Sequence, residues 1–180
     1  MNKTAERTVE LDKGHVDVYT ENGVTLYAYQ TRDLIDDEVF ILAKNGRGVV
    51  IELPCFHDNI RELTDFLRQE GITVEGKLVA YHAAGASFLP EVPAYGTASS
   101  IAYNSTGGGA ALVANFHKAF GGSFDESLCA VDHVLEEGET EIAGIRFLVK
   151  LPYTSAASGH SAGCTAPRRA RGFPGSSGAG

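Results

Sequence analysis

Two Asn-Gly pairs in the first fifty residues constrain the fold of this chain most strongly. Asn22-Gly23 separates the apolar runs 16–19 and 24–29, and the letters KNGRG separate the runs 39–42 and 49–53. An Asn-Gly pair between apolar β-rich runs is the strongest short-range signal of a β-hairpin. The sequence therefore predicts an antiparallel β-meander in the N-terminal third of the chain, ended by Pro54.

A helix is predicted directly after this meander, in the stretch HDNIRELTDFLRQEG. Asp58 is the expected N-cap and Gly71 the C-terminal stop. Four apolar residues recur at helical spacing and predict the buried face: Ile60, Leu63, Phe66 and Leu67.

The rest of the chain alternates between strand and helix patterns. Short strands are predicted at 78–81, in VPAYGT, in AVDHVL and in IRFLVKL, with a helix over 110–120 and a turn at 137–138. This order of elements predicts a mixed α/β (α+β) domain built in layers.

Composition narrows the classes of partner. Fifteen Lys and Arg against 23 Asp and Glu give a net charge of -8, which argues against binding to a nucleic acid. No run approaches the ~20 apolar residues of a membrane span, so we expect no membrane partner and a cytoplasmic location. Cys55, Cys129 and Cys164 have no short pairing, which argues against a disulfide framework and a Cys-x-x-Cys zinc site.

The composition changes after Pro152. Residues 153–180 are mostly Ala, Gly, Ser and Pro, and no Asp or Glu occurs beyond Glu141. We therefore predict a folded domain over 1–152 and a low-complexity, disordered tail over 153–180, of the kind that a truncated or frame-shifted reading would produce. Ser161 in this tail matches Gly-x-Ser-x-Gly, but no strand or helix signal flanks it, so we interpret the match as chance.

The order of the motifs resembles a known superfamily. DEVFILAKNGRGVVIELP and its helix, then GKLVAYHAAGASFLPEVPAYGTASS, then VDHVLEEGETEIAGIRFLVKLP are similar to the N-terminal half of the metallo-β-lactamase fold. The resemblance covers about residues 37–152 and implies an αββα layer architecture truncated to its first half. A half of this fold leaves a sheet face open, so a homodimer or another protein is expected to cover it.

The resemblance also implies a His-x-His-x-Asp-His metal motif, of which this chain keeps little. With His82 as the first motif histidine, the other ligand positions hold Ala84, Ala86 and Ser87; with His82 as the second, they hold Ala80, Ala84 and Gly85. Three of the four ligands are absent in either register. The Ile-Asp-x-Gly turn of the superfamily is replaced by residues 51–54, Ile-Glu-Leu-Pro.

Other residues could replace the lost ligands. Cys55, His57 and Asp58 follow one strand and His82 follows another, so the two strand ends can meet at one rim of the sheet. His117 and the Asp132-His133 pair are further donors. The candidate metal ligands are His82, His57 and His133, against structural roles for each of them.

Two functional hypotheses follow. The first is a metallo-β-lactamase-like domain that has lost its metal motif, descends from hydrolases and is non-catalytic or an inactive fragment, with no cofactor. The alternative is a metal-dependent hydrolase of the same superfamily that uses displaced ligands and zinc. The sequence names no substrate for either.

Overall fold

Both Asn-Gly turns form as predicted. The structure is a computed structural model that describes residues 4–32, 35–106 and 108–151. Asn22 and Asn45 each have φ 53°, and Gly23 and Gly46 each have φ 75°. Positive φ at both central residues is the requirement of a type I′ turn, whose twist matches that of the strands it joins. The β-meander of the N-terminal third is therefore confirmed.

The described residues form ten strands and three α-helices. The strands are β1 (Arg7–Glu10), β2 (Gly14–Glu21), β3 (Val24–Thr31), β4 (Glu38–Lys44), β5 (Arg47–Ile51), β6 (Thr73–Leu78), β7 (Ala94–Gly96), β8 (His133–Val134), β9 (Gly138–Ile142) and β10 (Ile145–Val149). The helices are α1 (His57–Gln69), α2 (Ala98–Thr106) and α3 (Gly108–Phe120), and a short 3-10 turn follows α3 at Gly121–Ser123.

The first eight strands form one sheet in their sequence order. Neighbours from β1 to β5 are antiparallel, whereas β5, β6, β7 and β8 pair in parallel. Ile51 pairs with Phe40 of β4 on one side and with Leu78 of β6 on the other. The beginning of β4 and the ends of β5 and β6 therefore lie at the same edge of the sheet.

Helix α1 covers one face of this sheet. Its four predicted apolar residues are all buried and join a cluster with inward-facing residues of the strands, including Tyr29, Ile41 and Val50. The rings of Phe66 and Tyr27 meet edge to face, with centroids 5.8 Å apart. Burial of this helical stripe against the sheet is what stabilises an amphipathic helix of 13 residues.

The β9–β10 hairpin packs on the opposite face. Val49 points to that face, since side chains alternate along a strand and Val50 points to α1. Val49 is buried together with Ile142, Ala143 and Ile145 of the hairpin. The structure thus has a mixed α/β layer arrangement with a large central sheet, as the sequence pattern predicts.

Some sequence expectations differ from the structure in detail. Helix α1 begins at His57 with Phe56 at the N-cap position and no side-chain cap, so Asp58 is in the first turn instead of capping it. The strand expected at 78–81 ends at Leu78. The chain bends at Glu137, where a turn was expected, but β9 and its turn to β10 at Ala143-Gly144 were not predicted. Helix α2 was not predicted, because its Ser, Thr and Asn residues favour turns and caps.

Some expectations concern residues outside the described part of the chain. The boundary after Pro152, the tail over 153–180 and Ser161 all lie there. Among the helices that the structure describes, none has the length and apolar character needed to cross a bilayer.

Candidate metal centre

Three potential metal ligands meet at the sheet edge where β4 begins and β5 and β6 end. Asp37 directly precedes β4, Cys55 follows β5, and His82 follows β6. One donor atom from each residue lies within 4.8 Å of the donor atoms of the other two. The Cys55 thiol donates a hydrogen bond to Asp37, with 3.8 Å between Sγ and Oδ2. Within the described ranges, this is the one such group of three donors.

This cluster is shielded from solvent. Cys55 is 1% exposed and His82 is 8% exposed, whereas Asp37 is half-buried. Cys55 also packs against the apolar side chains of Phe56, Val113 and Phe124. Cys55 is therefore both a core residue and one of the three donors.

His82 is held in the form that binds metals. Its Nδ1 atom is buried and has no hydrogen-bond partner among the described residues. Burial lowers the pKa of the His82 imidazole below its usual value, so the ring is neutral at pH 7. A neutral imidazole offers a lone pair, and leaving a buried polar atom unsatisfied costs about 1–3 kcal/mol.

Glu52 lies beside the loop that carries His82. Its Oε2 atom is buried and has no hydrogen-bond partner among the described residues. Burial, and then the nearby charge of Asp37, raise the pKa of Glu52 to about 7, although the nearby backbone N–H groups of Tyr81 and His82 act in the opposite direction. Glu52 also has φ 64°, a left-handed conformation that is strained for a side-chain-bearing residue. A buried carboxyl group therefore lies next to the donor cluster.

His57 and His133 lie away from this cluster. His57 is the first residue of α1 and lines a cleft of about 480 Å³ together with Lys13 and Arg32. His133 is exposed on β8, and its ring lies against Tyr95 with centroids 4.8 Å apart. Of the three predicted ligands, the structure places His82 in the described donor group and the other two elsewhere.

The remaining predicted donors have other contacts. The Asp58 carboxylate lies 3.5 Å from Lys13 Nζ and also pairs with Arg61. His117 Nδ1 lies 3.1 Å from a Glu126 carboxylate oxygen on the surface. These contacts place Asp58 in the first turn of α1 and His117 on the exposed side of α3.

The sequence pattern does not identify Asp37 as a donor. It lies in the acidic stretch that precedes β4, where nothing local distinguishes it from Asp36 or Glu38. Its relation to Cys55 follows from the antiparallel pairing of β4 with β5, in which Phe40 is opposite Ile51. Extending the register of the β4–β5 hairpin beyond the ends of both strands would have identified Asp37 as a neighbour of Cys55.

The donor set fits zinc. Thiolate sulfur, imidazole nitrogen and carboxylate oxygen are the three kinds of protein ligand that zinc accepts, and softer thiolate ligands disfavour magnesium and calcium. Tetrahedral zinc with bonds of about 2.0–2.3 Å separates its ligand atoms by about 3.5 Å. The distance of 3.8 Å between Cys55 Sγ and Asp37 Oδ2 is close to this value.

Solved structures that resemble this chain include metallo-β-lactamases. One is the DIM-1 enzyme, with 12% identity over 74% of this chain and 55% of that chain and a TM-score of 0.44. Another is the mono-zinc form of FIM-1 from Pseudomonas aeruginosa, with 13% identity over 69% of this chain and 54% of that chain and a TM-score of 0.41. A third is a metallo-β-lactamase from Erythrobacter litoralis, with 8% identity over 73% of this chain and 54% of that chain and a TM-score of 0.44.

The chain thus spans about 55% of the length of these structures. They belong to the superfamily that the sequence pattern resembles, and a likeness at this level of identity concerns the fold alone. No protein-family model and no curated protein matches the chain.

Proposed function

We propose that this protein binds one zinc ion through Asp37, Cys55 and His82. The observation that carries the proposal is the meeting of three different donor types, from three separate strand ends, within 4.8 Å of one another. Burial of the His82 imidazole supports it, because its Nδ1 atom has no hydrogen-bond partner among the described residues and a polar atom removed from water needs one. The proposal follows the alternative hypothesis from the sequence, a metal-dependent hydrolase with displaced ligands. It uses Asp37 and Cys55 in place of His57 and His133.

Three ligands among the described residues favour a catalytic zinc site over a structural one. Structural zinc sites use four protein ligands, whereas catalytic sites use three and keep one position open. A zinc ion held by these three residues would supply a bound water with a pKa of about 7, and so a nucleophile for hydrolysis at neutral pH. Hydrolysis is therefore the reaction class that we propose for the site.

The chain's own residues define how a substrate would reach this site. Cys55 and His82 are buried, and Asp37 is the most accessible of the three donors. The side of the cluster next to Asp37 is therefore the proposed entry side.

Zinc affinity of ligand variants tests the proposal. In competition with a chromophoric chelator, the parent chain is expected to bind one zinc, and Cys55→Ser and His82→Ala are each expected to weaken binding by about a hundredfold or more. The reason is that each removes a primary ligand, whereas loss of a group that only supports a ligand costs about 10- to 100-fold.

Three matched variants are the controls. Cys129→Ser removes a thiol whose Sγ lies near the Ala130 carbonyl, outside the cluster. His57→Ala and His133→Ala remove the two imidazoles that the structure places elsewhere. All three should leave zinc affinity unchanged. Binding well below one zinc per chain would support loss of the metal motif, and a loss of affinity in the His57 and His133 variants would restore the sequence-based ligand set.

A further inference from the structure

Residues 124–129, here called the bridging segment, connect the two loops that carry Cys55 and His82. Phe124 forms an antiparallel bridge with Phe56, next to Cys55, and Leu128 forms one with Ala84, two residues after His82. The N–H of Cys129 donates to the Ala83 carbonyl at 2.7 Å. The bridging segment therefore holds the two ligand-bearing loops at a set separation.

Asp125 lies at the centre of this connection. Its backbone N–H donates to the Cys55 carbonyl at 2.8 Å, and its backbone carbonyl accepts the Gly85 N–H at 3.1 Å. Its carboxylate Oδ2 accepts the Ser87 N–H at 3.0 Å. One residue thus bonds to the loop of Cys55 with its backbone and to the loop of His82 with both its backbone and its side chain.

The Asp125 carboxylate is adapted to this position. The carboxylate also accepts hydrogen bonds from the Ser127 N–H, at 3.1 Å, and from the Ser127 hydroxyl. Both of its oxygens are therefore bonded to donors. Burial acts to raise the pKa of the carboxyl group, but the hydrogen bonds from Ser127 and Ser87 outweigh it, and the pKa lies below its usual value. An ionised carboxylate accepts on both oxygens, whereas an amide would turn an NH2 group toward one of these donors.

Backbone contact between the two loops is also close. An added Cβ at Gly85 would lie 2.3 Å from the Pro54 carbonyl oxygen and 3.4 Å from the Cys55 Cα atom. The hydrogen bond from the Gly85 N–H to the Asp125 carbonyl joins this glycine to the residue that also bonds to the Cys55 carbonyl. The ligand separation is therefore sensitive to the placement of Asp125.

We propose that Asp125 is a positioning residue that holds Cys55 and His82 at the separation a single metal ion requires. The inference rests on the proposed zinc site and adds to it the residue that sets the site's geometry. Asp125 is 6% exposed and contacts the ligands' loops, not the donor atoms. Its effect is on the distance between the two ligands.

Asp132 provides a matched control. Its carboxylate Oδ2 accepts the Ala94 N–H at 2.7 Å and its N–H donates to the Ala94 carbonyl at 2.9 Å. It therefore holds a neighbouring backbone in the same two-way manner as Asp125, but it is bonded to β7, which carries no donor of the cluster. Asp132→Asn makes the same chemical change at a place that should not affect the ligand distance.

Cobalt(II) substituted for zinc reports the geometry directly. Asp125→Asn is expected to weaken cobalt affinity about tenfold and to shift or weaken the thiolate-to-cobalt absorption band per bound ion, since Cys55 and His82 are no longer held together. Asp132→Asn should keep the affinity and the spectrum of the parent. A purely structural role of Asp125 would lower the folded fraction and leave the spectrum of each bound ion unchanged.

A second readout does not depend on metal. In a chain with Cys129→Ser and Cys164→Ser, the rate at which a thiol reagent labels Cys55 measures how well its loop is held. We expect Asp125→Asn to increase this rate and Asp132→Asn to leave it near that of the parent. If Asp125→Asn does not fold, Ser127→Ala removes one donor to the carboxylate, and the same changes should appear in smaller degree.

The outcomes separate the two proposals. Cobalt affinity, spectrum and labelling rate all unchanged in Asp125→Asn would overturn the positioning role. If the parent binds no cobalt but Asp125→Asn exposes Cys55, the zinc proposal fails while the role of Asp125 in holding the two loops is supported. If the parent binds cobalt and both Asp variants behave alike, the zinc proposal stands and the positioning role is wrong.

Discussion

Zinc at a thousandfold excess over its Kd is expected to raise the free energy of unfolding by about 4 kcal/mol, and a chelator is expected to remove that gain. The reason is that the ligands belong to three separate strand ends, so the unfolded chain does not present them together. Urea unfolding of the same preparation, with zinc and with excess chelator, measures the difference.

Ligand variants show whether this gain comes from the proposed site. Cys55→Ser and His82→Ala should each lose most of the zinc-dependent stabilisation, whereas Cys129→Ser should retain it. An equal gain in the parent and in both ligand variants would mean that zinc binds somewhere other than the cluster of Asp37, Cys55 and His82.

Gly85→Ala is expected to destabilise the protein by about 3 kcal/mol or more. The added Cβ would lie 2.3 Å from the Pro54 carbonyl oxygen, which is a backbone atom and cannot rotate away. Gly85 also has φ 88°, a conformation that a residue with a side chain adopts only at a cost of about 1–3 kcal/mol. Urea unfolding of the metal-free protein measures the loss.

Gly121 is the control position for this substitution. It has φ 55°, and an added Cβ would meet nothing within 4 Å. Gly121→Ala should therefore cost about 1 kcal/mol, from the backbone conformation alone. If Gly85→Ala costs no more than Gly121→Ala, the loops of Cys55 and His82 are not packed as closely as the structure indicates.

Local turn chemistry explains how much of the fold the sequence could predict. The hairpins at Asn22-Gly23 and Asn45-Gly46 were predictable because Asn and Gly are the residues that adopt positive φ most readily. The turn between β9 and β10 uses the same pair of conformations, φ 54° at Ala143 and φ 75° at Gly144. Alanine gives no such signal, so the sequence does not predict this turn.

Part of the site was also predictable from local sequence. His82 could be identified because it follows an apolar strand whose end lies at the sheet edge, and the same reasoning reached Cys55. Asp37 joins these residues through the pairing of β4 with β5, and Asp125 through isolated hydrogen bonds far along the chain. Contacts of this kind leave no periodic pattern in the sequence, so a histidine-based ligand set with His57 and His133 was the natural expectation.

X-ray absorption at the zinc edge of the purified, zinc-loaded chain tests the central claim most directly. A site formed by Asp37, Cys55 and His82 predicts one sulfur at about 2.3 Å and nitrogen or oxygen neighbours at about 2.0–2.2 Å, with the sulfur signal lost in Cys55→Ser and kept in Cys129→Ser. A zinc shell made of nitrogen and oxygen alone, or a sulfur signal that persists in Cys55→Ser, would contradict the account.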